Sequence, residues 1–310
     1  MSVAYASREA VSVVICTYSD ARWPQLVRCV RSVYRQTRQP QDVVIVVDHN
    51  PELEERARSQ FTRASVVPNT AKQGLSGARN TGARAARGDI IAFLDDDAWA
   101  DPAWLDQLAS GFDDPGTVGA GGHATAAWVV GRPSWFPAEF YWVVGCSYRG
   151  LPARRAPVRN PLGCNMAFRR IAFERVGGFR SDFGRVGARP IGVEETEFSV
   201  RVRSAFPGSD VLYIPEALVY HEVPAQRGTW SYFIRRCYGE GLSKAHLRRV
   251  AGSRHALSAE RRYVVATIPS GLMRSLRRME LRRSAALVIG VAVTAFGFVL
   301  GSVNGRSLAE

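Results

Sequence analysis

Four short apolar runs set the frame. Val11-Ser12-Val13-Val14-Ile15-Cys16, Val43 to Val47, Val66-Val67 and Asp89 to Leu94 read as buried strands, rich in β-branched residues. Helix-like segments lie between them. Leu26, Val30, Val33 and Tyr34 recur at helical spacing, Glu52 to Phe61 mixes charges along its length, and Gly77 to Arg87 is rich in alanine and arginine. Strand alternating with helix over the first hundred residues predicts an α/β domain with a parallel sheet. Ligands of such sheets bind beyond the carboxyl ends of the strands. Four clusters fall there: Thr17-Tyr18, Asp48, the Gly74–Asn80 loop and Asp95-Asp96-Asp97.

From about Gly119 the rhythm changes. Aromatic residues crowd Trp128 to Tyr148 among Pro and Gly, which predicts mixed strands and loops. Gly192 to Ala205 reads as a helix, Tyr213-Ile214 and Ala217 to His221 as two short strands. Asp101-Pro102 is a good helix start. No internal repeat or low-complexity linker interrupts the chain.

The net charge of +13 is unevenly spread. Arg235 to Arg283 holds thirteen Lys and Arg against Glu240, Glu260 and Glu280, most of the whole excess. This basic segment leads into Ala285 to Val303, an uncharged apolar stretch near the length of a bilayer-crossing helix. A core helix of that length would usually carry a polar stripe, and only Thr294 and Ser302 interrupt this one. A single transmembrane helix is therefore expected, with an interfacial or hairpin-inserted helix as the alternative. Arg277, Arg278, Arg282 and Arg283 precede the stretch and only Arg306 follows, which puts the large N-terminal part in the cytoplasm. Basic residues there attract anionic lipids. Gly297 and Gly301 form a small-xxx-small pair, a slender hint of a dimer. The expected organisation is a catalytic domain over 1–226, a basic membrane-proximal helical region over 227–284 and a transmembrane helix over 285–303. Met1 to Ala10 is short and polar, so no secretory signal is expected. Five scattered cysteines without CxxC spacing read as reduced packing thiols rather than zinc ligands.

Three adjacent carboxylates at a strand end repel one another and need compensation. A divalent cation provides it and can also neutralise a diphosphate leaving group. An acidic turn capping the next helix is the plainer alternative. Asp48 could accept hydrogen bonds from a ribose or base, or simply belong to the turn Asp48-His49-Asn50-Pro51. The Gly74–Asn80 loop lets backbone approach a phosphate, with Arg79 offering a fork to anions, but it is not a P-loop. Glu194-Glu195-Thr196-Glu197 offers a general base, or an acid-rich helix start favoured by the macrodipole. His221 could complete a metal site with the triplet or be structural.

The clusters, in this order, resemble family 2 glycosyltransferases of the GT-A fold. The likeness runs through Val13 to Tyr18, Val46-Val47-Asp48, Gly74 to Asn80, Phe93 to Asp97, Gly163 to Arg170 and Glu194 to Glu197, over about the first 225 residues. It implies a Rossmann-like, mostly parallel central sheet. It also implies that Thr17, Tyr18 and Asp48 hold the nucleoside and that Arg79 sits near base or phosphates. Asp95 and Asp96 would contact ribose or metal. Asp97 would be the main ligand of Mg²⁺ or Mn²⁺, with Asp95 and His221 completing the shell. The family's usual acidic pair is Glu-Asp; here Glu195 stands in the second place and is favoured as base, with Glu194 second. No Gln-x-x-Arg-Trp follows, so a processive polymer synthase is not implied. Glu139-Phe140-Tyr141-Trp142, Arg159-Asn160 and Tyr238 to Lys244 resemble the glucosyl-dolichyl-phosphate glucuronosyltransferase branch. That branch implies a nucleotide-sugar donor, UDP-glucuronate, and a polyprenyl-phosphate-linked or other glycan acceptor at the membrane.

Three other functions compete. A nucleotidyltransferase would carry a Gly-rich basic loop after the first strand, where this chain has Thr17-Tyr18-Ser19-Asp20. A non-catalytic membrane-associated binding protein would hold nucleotide sugar without turnover. Nucleic-acid binding by the Arg-rich segment is less favoured than lipid, because the segment adjoins Ala285–Val303.

Overall fold

The computed structural model describes residues 9–183, 192–251 and 258–303. Arg306 lies outside them, as do residues 1–8. The expected alternation forms: β1 (Val11–Thr17), α1 (Trp23–Tyr34), β2 (Asp42–Val47), α2 (Pro51–Gln60), β3 (Ser65–Pro68), α3 (Leu75–Ala85) and β4 (Ile90–Asp95). Then come β5 (Ala98–Ala100), α4 (Trp104–Ala109), β6 (Thr117–Trp128), β7 (Ala156–Pro157), β8 (Asn165–Arg169), α5 (Arg170–Val176), α6 (Glu194–Ala205) and β9 (Asp210–Val223). They build one sheet in the order β3-β2-β1-β4-β8-β6-β9-β5, with β7 on β9. Strands β3, β2, β1, β4, β6 and β9 run the same way, so the sheet is mixed but mostly parallel.

Both faces of the sheet are covered, which is why β1, β2 and β4 are apolar along most of their length, with Ser12 a buried polar exception. Val13, Ile15, Val43 and Ile45 pack on one side with Leu26 and Val30 of α1 and Trp104 of α4. Val14, Val44, Val46 and Phe93 pack on the other with Ala78 of α3 and Phe198 of α6.

Two expected strands are one. β9 runs through Tyr213 and His221, but its pairing with β6 jumps from Gly122–Ile214 to His123–Leu218. Pro215-Glu216-Ala217 bulges out, because proline has no N–H for the ladder. The Ala217 carbonyl oxygen would lie 1.8 Å from a Cβ at position 122, so only glycine fits there. Asp101-Pro102 forms a turn that accepts from Ala103 and Trp104, and the helix starts at Trp104.

The C-terminal part is helical: α7 (Trp230–Ala251), α8 (Ser258–Arg262), one π turn (Tyr263–Thr267), α9 (Ile268–Arg277) and α10 (Leu281–Val303). It joins the sheet domain through an aromatic layer in which Trp135 stacks on Trp230 at 4.1 Å and Phe140 meets Phe233. Buried Glu139 accepts from Arg274 of α9 at 2.7 Å. Gly297 and Gly301 pack against Tyr238, Leu242 and Ala245 of α7, so this small-residue pair is used within the chain.

Candidate active site

The acidic triplet leaves the end of β4 as a turn. Its neighbours follow from strand pairing. β5 pairs with β9 so that Ala98 stands opposite His221, and the Glu222 amide donates to the Asp97 carbonyl at 2.9 Å. This register brings His221 Nε2 to 3.1 Å from Asp97 Oδ1. Its Nδ1 faces Cys146 Sγ at 3.6 Å. One ligand atom each from Asp95, Asp97 and His221 lies within 4.8 Å of the others.

Two arginines compensate the acids. Arg22, in a single 3-10 turn after β1, reaches Asp96 at 2.7 Å and Asp97 at 3.5 Å. Arg227 donates to Asp97 Oδ2 at 3.2 Å. Burial pushes the Asp96 carboxyl up to about 6 despite Arg22. Burial also works against the Asp97 charge, but His221, Arg227 and Arg22 outweigh it and hold that carboxyl below the usual range. For His221, burial favours the neutral ring and the Asp97 carboxylate overrides it, to about 10. Two carboxylates and an imidazole converging on one point form a donor set that fits a divalent cation.

Arg79 ties this centre to α6. It is 2% exposed and sits on α3, whose N-terminus Gly74 caps. It donates to Glu194 Oε1 at 2.7 Å, to Asp95 Oδ1 at 3.1 Å and to the Gly163 carbonyl at 2.9 Å. Its fork is thus occupied by carboxylates. Val193 enters α6 at φ +67°, a region that β-branched residues rarely adopt. Glu194 and Glu195 then open the helix. Glu194 is neutralised by Arg79. The Glu195 carboxyl accepts from Thr196 Oγ1 at 3.3 Å and from its own backbone N–H. Burial, and then the Glu194 charge, push Glu195 up to about 8, with Arg79 opposing.

Asp48 and Thr17 lie at the same sheet edge, where the Asp48 amide donates to the Thr17 carbonyl at 2.8 Å. Asp48 Oδ1 accepts from Asn69 at 2.6 Å and Oδ2 from the Gly74 amide at 2.9 Å. Asp48 therefore shapes the glycine loop as well as facing the edge. Gly77 allows the tight entry to α3: a Cβ there would stand 2.0 Å from the Lys72 carbonyl oxygen. Tyr18 is half exposed, with the Arg22 guanidinium 5.1 Å from its ring centroid.

The structure thus gathers Asp95, Asp96, Asp97, His221, Arg79 and Glu194 into one network, with Glu195 beside it and Thr17, Tyr18 and Asp48 along the same edge. Arg22 and Arg227 escape sequence reasoning. Each is a lone arginine in a short loop, and Arg227 follows directly on the expected end of the catalytic domain.

Comparison with known proteins agrees with this geometry. The glycosyl transferase family 2 profile matches residues 12–177. The chain is 33% identical to a glucosyl-dolichyl phosphate glucuronosyltransferase of Haloferax volcanii, over 94% of this chain and 96% of that one. It is 26% identical to the succinoglycan biosynthesis protein ExoM of Rhizobium meliloti, over 84% and 82%. In structure it resembles a Pyrobaculum calidifontis mannosyltransferase solved with GDP-Man and Mn²⁺, with a TM-score of 0.59 at 19% identity, covering 97% and 89% of the two chains. GalNAc-T7 with UDP, GalNAc and Mn²⁺ is similar at a TM-score of 0.52 and 20% identity, over 70% of this chain and 43% of that one. By motif, fold and overall similarity the chain belongs to glycosyl transferase family 2 and is a glycosyltransferase of the GT-A fold.

Proposed function

We propose that this enzyme is an inverting, metal-dependent transferase that moves a sugar from a UDP-sugar, UDP-glucuronate, to a polyprenyl-phosphate-linked glycan on the cytoplasmic side of a membrane. The observation that carries the reading is the Arg79 bridge, which sets the acidic centre and the α6 carboxylates on opposite arms of one guanidinium. Asp97, Asp95 and His221 would hold the cation. When bound, it would supply positive charge for a departing nucleoside diphosphate. The imidazole donor favours Mn²⁺ over Mg²⁺. Thr17, Tyr18, Asp48 and Asp96 line the nucleotide side.

Glu195 is the base. Glu194 is spent on Arg79, whereas Glu195 keeps a carboxyl free to take a proton from the acceptor hydroxyl. That oxygen attacks the anomeric carbon from the face opposite the nucleotide. The Haloferax relative supports the donor and the lipid-linked acceptor.

The test is a screen of UDP- and GDP-sugars with Mn²⁺ and membrane lipid extract, read as nucleotide release. UDP released from UDP-glucuronate only when lipid is present is the expected result. Release of pyrophosphate would make it a nucleotidyltransferase, and metal-independent binding without turnover would make it a binding protein.

A further inference from the structure

Helix α10 carries no charge from Ser284 to Val303, and by length and composition it could cross a bilayer. Its packing points elsewhere. α10 lies parallel to α7, and their register can be followed along both helices. Gly290 meets Phe233, Gly297 meets Tyr238, and Gly301 meets Leu242 and Ala245. Arg249 donates to the Gly301 carbonyl at 2.8 Å, and the Arg248 guanidinium lies 4.9 Å from the Phe298 ring centroid. The backbones touch: a Cβ on Gly241 would stand 2.2 Å from the Thr294 carbonyl oxygen.

α7 is not a helix that can follow a partner into lipid. It carries Glu240, Lys244, His246, Arg248 and Arg249. Lys244 pairs with Glu240 at 3.3 Å and with Glu260 at 2.5 Å. Ser243 Oγ accepts from the Gly192 amide, two residues before the catalytic helix. A crossing α10 would draw these groups into the bilayer, where each charge costs about 2.5–3.5 kcal/mol at the centre. It would also draw α6 toward lipid.

From Ala285 to Val299 every exposed residue of α10 is apolar, and Ser302 beyond them is exposed as well. Val288, Ile289, Phe296, Val299 and Val303 are exposed. Met273, Leu276, Met279 and Leu281 extend this surface through the end of α9. Arg277, Arg278 and Arg282 stand exposed beside it. An apolar stripe edged by arginines matches an anionic lipid surface in both hydrophobicity and charge.

We propose that α10 does not cross the membrane. It lies in the plane of one anionic leaflet, its glycine face on α7 and its apolar stripe in the acyl boundary, and the enzyme is monotopic. This holds whichever sugar is transferred, so it stands or falls apart from the reaction.

The test uses the full chain in sealed phosphatidylcholine–phosphatidylglycerol vesicles with the catalytic domain outside. Ser302→Cys is treated with a membrane-impermeant maleimide, and the wild-type chain gives the background of its native thiols. Labelling equal to that in detergent is expected. Labelling only after detergent would put the end of α10 in the lumen and overturn the proposal. If the introduced thiol reacts in neither state, spin labels at Val288, Phe296 and Val303 decide. Uniform shallow depths are expected, whereas a crossing helix would spread the outer two over about 22 Å along the bilayer normal.

Discussion

Arg79 stands between Asp95 and Glu194, 3.1 Å from one carboxylate and 2.7 Å from the other. Two acidic clusters a hundred residues apart in the chain therefore share one counter-charge. Arg79→Met removes it and leaves buried Glu194 without its partner. Loss of one partner from a buried pair costs about 3–5 kcal/mol. The variant should melt at clearly lower temperature and lose transfer. Arg79→Lys keeps the charge but not the fork, and should recover part of the stability with little of the activity. Equal melting curves for Arg79→Met and wild type would remove the bridge from the account.

Glu195→Gln should lower transfer by about 10²–10⁴-fold if Glu195 is the base. Stability should move the other way. The Glu195 carboxyl is pushed up to about 8 in the folded chain from an ordinary 4.5. Folding then favours the protonated form, so the contribution is full below 4.5 and is lost as pH rises through about 8. Between these limits the wild type should lose thermal stability with rising pH by an increment that Glu195→Gln lacks. Transfer by the wild type should rise with pH toward 8 as the base ionises. A pH-independent difference between the two melting curves would show that Glu195 does not titrate in this window.

Chelation with EDTA should stop transfer and added Mn²⁺ restore it. Asp97→Ala should abolish activity at any metal concentration. His221→Ala should raise the Mn²⁺ needed for half-maximal rate by at least about tenfold while leaving the maximal rate less affected. An unchanged Mn²⁺ dependence in His221→Ala would assign the imidazole to structure alone.

Asp48→Ala removes the acceptor of the Asn69 and Gly74 hydrogen bonds. Bonds to a charged acceptor are worth about 1.5–3 kcal/mol each. The loop should become protease-sensitive and the KM for donor should rise more than kcat falls. Gly77→Ala should be harsher, because the new methyl meets backbone rather than a movable side chain. Overpacking of this kind costs about 1–3 kcal/mol or more. A Gly77→Ala protein with normal melting would mean that the loop yields.

Much of this was legible in the sequence for a simple reason. Strands covered on both faces read as nearly continuous apolar runs, and carboxylates bunched at their ends have few other uses, so β1, β2, β4 and Asp95 to Asp97 stand out. The single strand β9 was hidden by Pro215, which reads as a break although the chain only bulges there. Arg22 and Arg227 were hidden because isolated loop arginines carry no period, and pairing across 74 and 130 residues leaves no local trace. Gly297 and Gly301 of α10 read in the sequence as a small-xxx-small pair that hints at a dimer. Only the placement of α7 reveals them as the floor of a helix contact.

The bulge at Pro215-Glu216-Ala217 has an arithmetical effect. It adds three residues to β9 with no counterpart on β6, and three is odd. In a regular strand Ile214 and Leu218 would share a face. Here they lie on opposite faces, and the alternation beyond is inverted, which is how His221 comes to stand on the same side as Val219 and Ile214. Drawing the three into regular pairing would turn the imidazole to the other side of the sheet, with every residue near Asp97 untouched. Membership of this centre is thus decided by parity, several residues before the histidine itself.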